Sequence, residues 1–147
     1  MHDNKGYIGF ACAYTPLPVI YAAGYTPYRI LPMGNSPDQA GHILHDNLCP
    51  HIKRILDRAM SNDLPDLAGM VFMNSCDAMR RLADACHRVR PGDNMILLDL
   101  PATADELSIS FFAGEISRLA DALSKWSDRD ISMTEIEYGV LLYNQIA

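Results

Sequence analysis

Three short apolar runs and one alternating run, separated by segments of helical character, constrain this chain more than any other feature. Tyr7-Ile8-Gly9-Phe10-Ala11, Gly69-Met70-Val71-Phe72-Met73 and Met95-Ile96-Leu97-Leu98 lack any polar alternation and are bounded by turn residues, the mark of strands buried on both faces. Residues 25–31, from Tyr25 to Leu31, alternate enough to add another strand. Such strands need cover above and below, and intervening helices supply it when successive strands run parallel. The expected fold class is therefore α/β: a parallel sheet of about four strands with flanking helices, then a C-terminal helical segment.

The helical segments carry their own punctuation. Thr15 and Pro16 read as an N-cap and first helical position ahead of Val19-Ile20-Tyr21-Ala22-Ala23, with Gly24 placed to end the helix. A second helix is expected from near Asn47 to about Met60, with Ile52, Ile55, Leu56 and Ala59 on one face and Pro50 in its first turn. The third shows Met79, Leu82, Ala83 and Cys86 at the spacing of a buried stripe, and Arg90-Pro91-Gly92-Asp93 is the turn after it. Beyond Pro101 only helix is expected. Thr103-x-x-Glu106 and Ser132-x-x-Glu135 both fit the capping box. They open a long helix, striped by Phe112, Ile116, Leu119, Leu123 and Trp126, and a last one ending at Ala147 with no Gly, Pro or basic last turn. Residues 1–101 thus read as an α/β domain and 102–147 as a helical extension, of the same domain or leading out of it. Residues 33–41 read as a flexible loop, and a connection of that length is more often functional than idle.

Composition excludes several classes of function. Eighteen acids against twelve Lys and Arg give a net charge of −6, which argues against nucleic acid as the main partner. No apolar run reaches the roughly 18 residues of a membrane span. The start (Met1, His2, Asp3, Asn4, Lys5) lacks a signal-peptide stretch, so a cytoplasmic protein is expected. Four cysteines in a reducing compartment are then ligands, redox groups or core residues rather than disulfides.

Sheets of this class bind ligands beyond the carboxyl ends of their strands. That rule places Cys12 (after the first strand), Cys76 (after the third) and the segment after Leu100 on one rim. Cys49, heading the second helix, should face the same rim. Thiolate sulfur suits iron–sulfur clusters and zinc, and a helix N-terminus favours a thiolate. Against this stands the reading of free cysteines as small buried hydrophobes, which fits Cys86 on its apolar stripe. A zinc site of Cys12, Cys49 and Cys76 would lack a clear fourth ligand. His42-x-x-His45 would set two imidazoles on one helical face, with His51 near Cys49. Arg80 and Arg81 form a solvated face or meet a phosphate-bearing ligand. No dinucleotide fingerprint, Walker loop or Ser/His/Asp set is legible.

Taken in order, Cys12-Ala-Tyr14-Thr-Pro16, Ile20-Tyr21-Ala22-Ala23-Gly24, Cys49-Pro50, Asn74-Ser75-Cys76-Asp77-Ala-Met-Arg80-Arg81 and Leu98-Asp99-Leu100-Pro101 resemble the 2-hydroxyacyl-CoA dehydratase D-component family, which includes the benzoyl-CoA reductase B and C type subunits. The likeness runs from about Gly6 to Asn144 and covers the first half of a usual family subunit. It implies a Rossmann-like fold and a [4Fe-4S] cluster held between two such halves. By motif, Cys49 and Cys76 correspond to the two first-half ligands, with the third in the second half; Cys12 lines the pocket or joins them. Tyr14, Asn74 and Ser75 fall on the substrate side. Where relatives carry a glutamate after the Tyr-x-Pro motif, this chain has Leu17-Pro18, so that carboxylate role does not carry over. Asp77 is expected as a helix N-cap rather than a proton donor.

The chemistry the resemblance implies is radical removal of water from a 2-hydroxyacyl-CoA, or ring reduction in the reductase branch. The implied partners are an acyl-CoA substrate, a second dehydratase or reductase subunit, and an ATP-dependent iron–sulfur activator protein that delivers one electron. The alternative from another class is a non-catalytic α/β binding module that pairs with another subunit.

Overall fold

The computed structural model describes residues 4–147; residues 1–3 of the N-terminal stretch lie outside the described residues. Its strands are β1 (Tyr7–Phe10), β2 (Thr26–Arg29), β3 (Leu67–Asn74) and β4 (Met95–Asp99), and its helices α1 (Leu17–Ala22), α2 (Pro50–Met60), α3 (Asp77–Val89), α4 (Glu106–Ser127) and α5 (Met133–Ile146). The strands form one sheet in the order β2-β1-β3-β4, with every pairing parallel. The α/β architecture expected from the apolar runs is the one observed.

Two apolar cores follow from the pleat. Alternate side chains of a strand point to opposite faces. Met70 and Phe72 of β3 accordingly enter one core with Ile52, Ile55 and Leu56 of α2 and Leu82 and Cys86 of α3. Val71 and Met73 enter the other with Ile8, Ile20, Leu98, Leu119 and Leu123. Each fully buried Leu or Ile stabilises the fold by about 1.5–3 kcal/mol. The long-helix stripe is thus on the sheet: Leu119 and Leu123 are buried, and Phe112, Ile116 and Trp126 pack against the same cluster. Helix α5 lies on α1, where Gly139 is indispensable: a Cβ there would meet the Pro18 carbonyl oxygen at 2.7 Å.

Helix ends test the sequence reading most sharply. Gly24 ends α1 as expected, with φ +89°; its N–H bonds the Tyr21 carbonyl, and that of Tyr25 bonds Ile20, a Schellman closure. Ser132 and Glu135 form the expected capping box on α5. Three other caps differ. Pro16, not Thr15, precedes α1, because the Thr15 hydroxyl donates to the Cys12 carbonyl instead. Asp105, not Thr103, caps α4 by accepting from the Ser108 N–H, and Thr103 donates to the Asp105 carboxylate. Cys76, not Asp77, caps α3.

The two outer strands are finished differently. In β2, Thr26 N–H donates to Gly6 and Ile30 N–H to Phe10, so the alternation turns Pro27, which has no N–H, to the open side. In β4 the open side is occupied by α4: Glu115 accepts from the Asp99 N–H at 2.7 Å, and Arg118 donates to the Leu97 carbonyl. One ion pair thereby supplies both the acceptor and the donor a further strand would offer.

Candidate functional site at the carboxyl end of the sheet

The chain leaves β1 towards β2 on one side and β3 towards β4 on the other, so strand order reverses between β1 and β3. A crevice outside the strand ends is expected at such a reversal. Cys12 and Cys76 follow these two strands. Ser75 joins the two turns, its Oγ 3.2 Å from Cys12 Sγ. Cys12 is buried, and its carbonyl accepts from both the backbone and the hydroxyl of Thr15. Tyr14 is exposed on the same turn.

Cys76 has extended backbone (φ −157°, ψ 164°) and its sulfur accepts from the Met79 N–H at the head of α3, 3.4 Å away. The thiol is exposed. Upstream, β3 outruns β1: its pairing with β1 ends at Val71, while its pairing with β4 continues to Asn74 opposite Asp99. The Asn74 amide donates to the Asp99 carboxylate at 2.8 Å. Asn74, read from its motif as substrate-side, thus spends a donor within the protein.

Cys49 occupies the equivalent position on α2, also exposed, but its sulfur makes no cap hydrogen bond and Pro50 follows at the first helical position. The connection leading to it is not the free loop its composition suggests. The buried Asp57 carboxylate accepts from the N–H groups of Gln39 and Ala40 at 2.9 and 2.7 Å and from Arg54 at 2.8 Å. Arg54 also donates to the carbonyls of Ser36 and Gly34, and Ala40–His42 winds into a 3-10 turn. Polar side chains of α2 thereby tie the loop down. His42 ends that short turn and His45 lies beyond it, accepting from the Asn47 N–H, so no single helical face carries both imidazoles.

A cleft of about 700 Å³ opens between this connection and α3, lined in part by Leu44, His45, Leu48, Asp77, Arg81 and Arg88. Leu48 and Asp77 are the immediate neighbours of Cys49 and Cys76. Arg81 is paired with Asp77 at 3.6 Å, both well exposed.

Among the described residues no three His, Cys, Asp or Glu side chains are gathered as a metal-holding group. What the chain offers is two exposed free thiols at helix heads and a third, Cys12, buried against Ser75. That chemistry fits part of a cluster ligand set. Cys86 is a core residue as expected, and burial pushes its thiol up to about 12, which keeps it protonated and inert. The sequence reading missed Asp57, Glu115 and Arg118. The i,i+3 spacing of Arg54 with Asp57 and of Glu115 with Arg118 signalled two pairs, and nothing local says what either pair holds. The Arg118 guanidinium, donating to Glu115, holds that carboxyl below its usual value.

Comparison with known proteins gives the family of this chain. Residues 12–147 match the family described as 2-hydroxyglutaryl-CoA dehydratase, D-component. The chain belongs to that family. Among curated relatives of this D-component member, the chain is 23% identical over 149 residues to the C-type subunit of benzoyl-CoA reductase from Thauera aromatica. It is likewise 23% identical over 144 residues to the beta subunit of lactoyl-CoA dehydratase from Anaerotignum propionicum. Each match takes in 97% of this chain and 38% of the relative, so the chain spans well under half their length. The family resemblance read from the cysteine motifs is thereby established. No helix among the described residues of this family member is long and apolar enough to cross a membrane.

Proposed function

We propose that this D-component family chain contributes to the iron–sulfur subunit of a 2-hydroxyacyl-CoA dehydratase-type enzyme, with Cys49 and Cys76 as two ligands of a [4Fe-4S] cluster. The observation that carries the reading is the pair of exposed, free cysteines heading α2 and α3, whose chain neighbours Leu48 and Asp77 line one cleft. A bound cluster supplies one-electron transfer at low potential, tuned by nearby amide donors. The chain's own part is to present two sulfurs, to orient one of them through the α3 cap, and to tie the Cys12 turn to the Cys76 turn through Ser75. The remaining ligands come from Cys12 or from sequence outside this chain. Tyr14, Asn74 and Ser75 stand on the substrate side of this reading. Its substrate is an acyl-CoA thioester, its partners a second dehydratase or reductase subunit and an ATP-dependent iron–sulfur activator protein, and its compartment the cytoplasm. The names of the relatives, one a reductase subunit and one a dehydratase subunit, support the substrate class and leave both branches in play.

Anaerobic purification with assays for iron and acid-labile sulfide tests the proposal. Wild type is expected to carry both, Cys49→Ser and Cys76→Ser to lose both, and Cys86→Ser to keep them while folding less stably. Absence of iron and sulfide from wild type, with a partner subunit present, would favour a non-catalytic module instead. Stoichiometric zinc without visible absorption would point to a thiolate zinc site.

A further inference from the structure

Asp99, Glu115 and Arg118 have no role in the proposed function, and Asn74 enters it only as a substrate-side residue, yet these polar groups converge on the turn that carries Cys76. Asn74 and Asp99 are directly opposed in the parallel register, and their side chains are joined at 2.8 Å. Beyond Val71 this end of β3 has no β1 partner; Phe72 and Met73 are held by the cores, but Asn74, only partly buried, has β4 alone as its strand neighbour. Strand β4 is itself held from its outer side: Asp99 N–H on Glu115, the Leu97 carbonyl on Arg118, and the two α4 side chains on each other at 2.7 Å. The next residue, Ser75, is fixed to Cys12. Cys76 then reaches its cap position with its sulfur on the Met79 N–H.

We infer that the Asn74–Asp99 pair, braced by Glu115 and Arg118, is a positioning element that sets the β3–α3 turn and holds the Cys76 sulfur at the head of α3. This deepens the proposed function, and rests on it only for the consequence that a cluster ligand is held ready before any cluster binds. The physical argument is one of freedom. A turn following a strand end that is paired on one side only samples more backbone states than one paired on both, and each side-chain anchor removes some of them.

Hydrogen exchange of the Met79 amide, followed by NMR on the intact chain, reads the element directly. The Glu135 amide, capped by Ser132 on α5, serves as the internal reference. Asn74→Ala and Asp99→Ala are expected to speed Met79 exchange by about tenfold and to leave Glu135 unchanged. Asp99→Asn, which keeps a side-chain oxygen to accept from Asn74, should restore slow exchange. Unchanged Met79 exchange in both alanine variants would overturn the inference, as would an equal rise at Glu135, which would mean general loosening. Iron binding after anaerobic reconstitution separates this inference from the cluster reading. Faster Met79 exchange in a protein whose wild type takes up no iron leaves the positioning element standing and removes its consequence. Where wild type does load, Asn74→Ala should load more slowly.

Discussion

Helices α2 and α3 both begin at an exposed cysteine, and the two beginnings are built in different ways. The Cys76 sulfur caps its own helix and follows a strand end clamped to its neighbour. The Cys49 sulfur makes no cap bond and follows a long connection moored from below by Asp57. One thiol is set by its own turn; the other is exposed, without a cap bond, on a moored stem. A cysteine at a helix head is therefore not one structural situation but two, and the upstream backbone decides which.

The largest expected effect breaks the α2 side of this contrast. Asp57→Ala leaves Arg54 and two N–H groups without their buried partner and should cost about 2–3 kcal/mol, read as a lower midpoint in urea unfolding. A loss below about 0.5 kcal/mol would mean that the connection is not moored there. A finer contrast comes from the thiols themselves. Cys76→Ala removes a cap acceptor and should cost about 0.5–1 kcal/mol, whereas Cys49→Ala, with no cap bond to lose, should stay within about 0.3 kcal/mol of wild type in the same measurement. Equal effects at the two positions would erase the distinction between the two helix heads.

The smallest effect concerns pH and belongs to the α3 side. Glu115 is held below its usual value chiefly by the Arg118 hydrogen bond. A depressed carboxylate stabilises the folded state fully above the unfolded glutamate range, and that contribution is lost as pH falls through the lower folded value. Thermal unfolding followed from pH 6 downward, an order-of-magnitude window around the ordinary carboxylate range, should show a steeper decline for wild type than for Glu115→Gln. Parallel curves would show that the brace carries no charge-dependent share of stability.

The sheet was legible in the sequence because its signal is local. Apolar runs as short as Met95-Ile96-Leu97-Leu98 are read directly, and parallel order follows from the helices between them. The placement of Cys12 and Cys76 beyond strand ends came with it. Caps were less legible, since several residues compete for the same amides. Thr103-x-x-Glu106 fits the capping box, yet the Asp105 carboxylate takes the Ser108 N–H and relegates Thr103 to donating to it. Least legible were contacts such as Asp57 to Ala40 or Glu115 to Asp99, which join segments 17 and 16 residues apart. No periodicity encodes such pairs; they exist only once the crossover has folded back.

The finish of the two outer strands has a consequence for how this molecule can associate. Pro27 offers no amide to a newcomer, and on β4 the Leu97 carbonyl and the Asp99 N–H are already bonded to Arg118 and Glu115. Lateral growth by recruiting a foreign strand is opposed at both flanks, by a missing amide on β2 and by occupied groups on β4. A subunit that docks here is thereby steered towards side chains and turns rather than a shared sheet edge, the same bias that works against open-ended strand stacking.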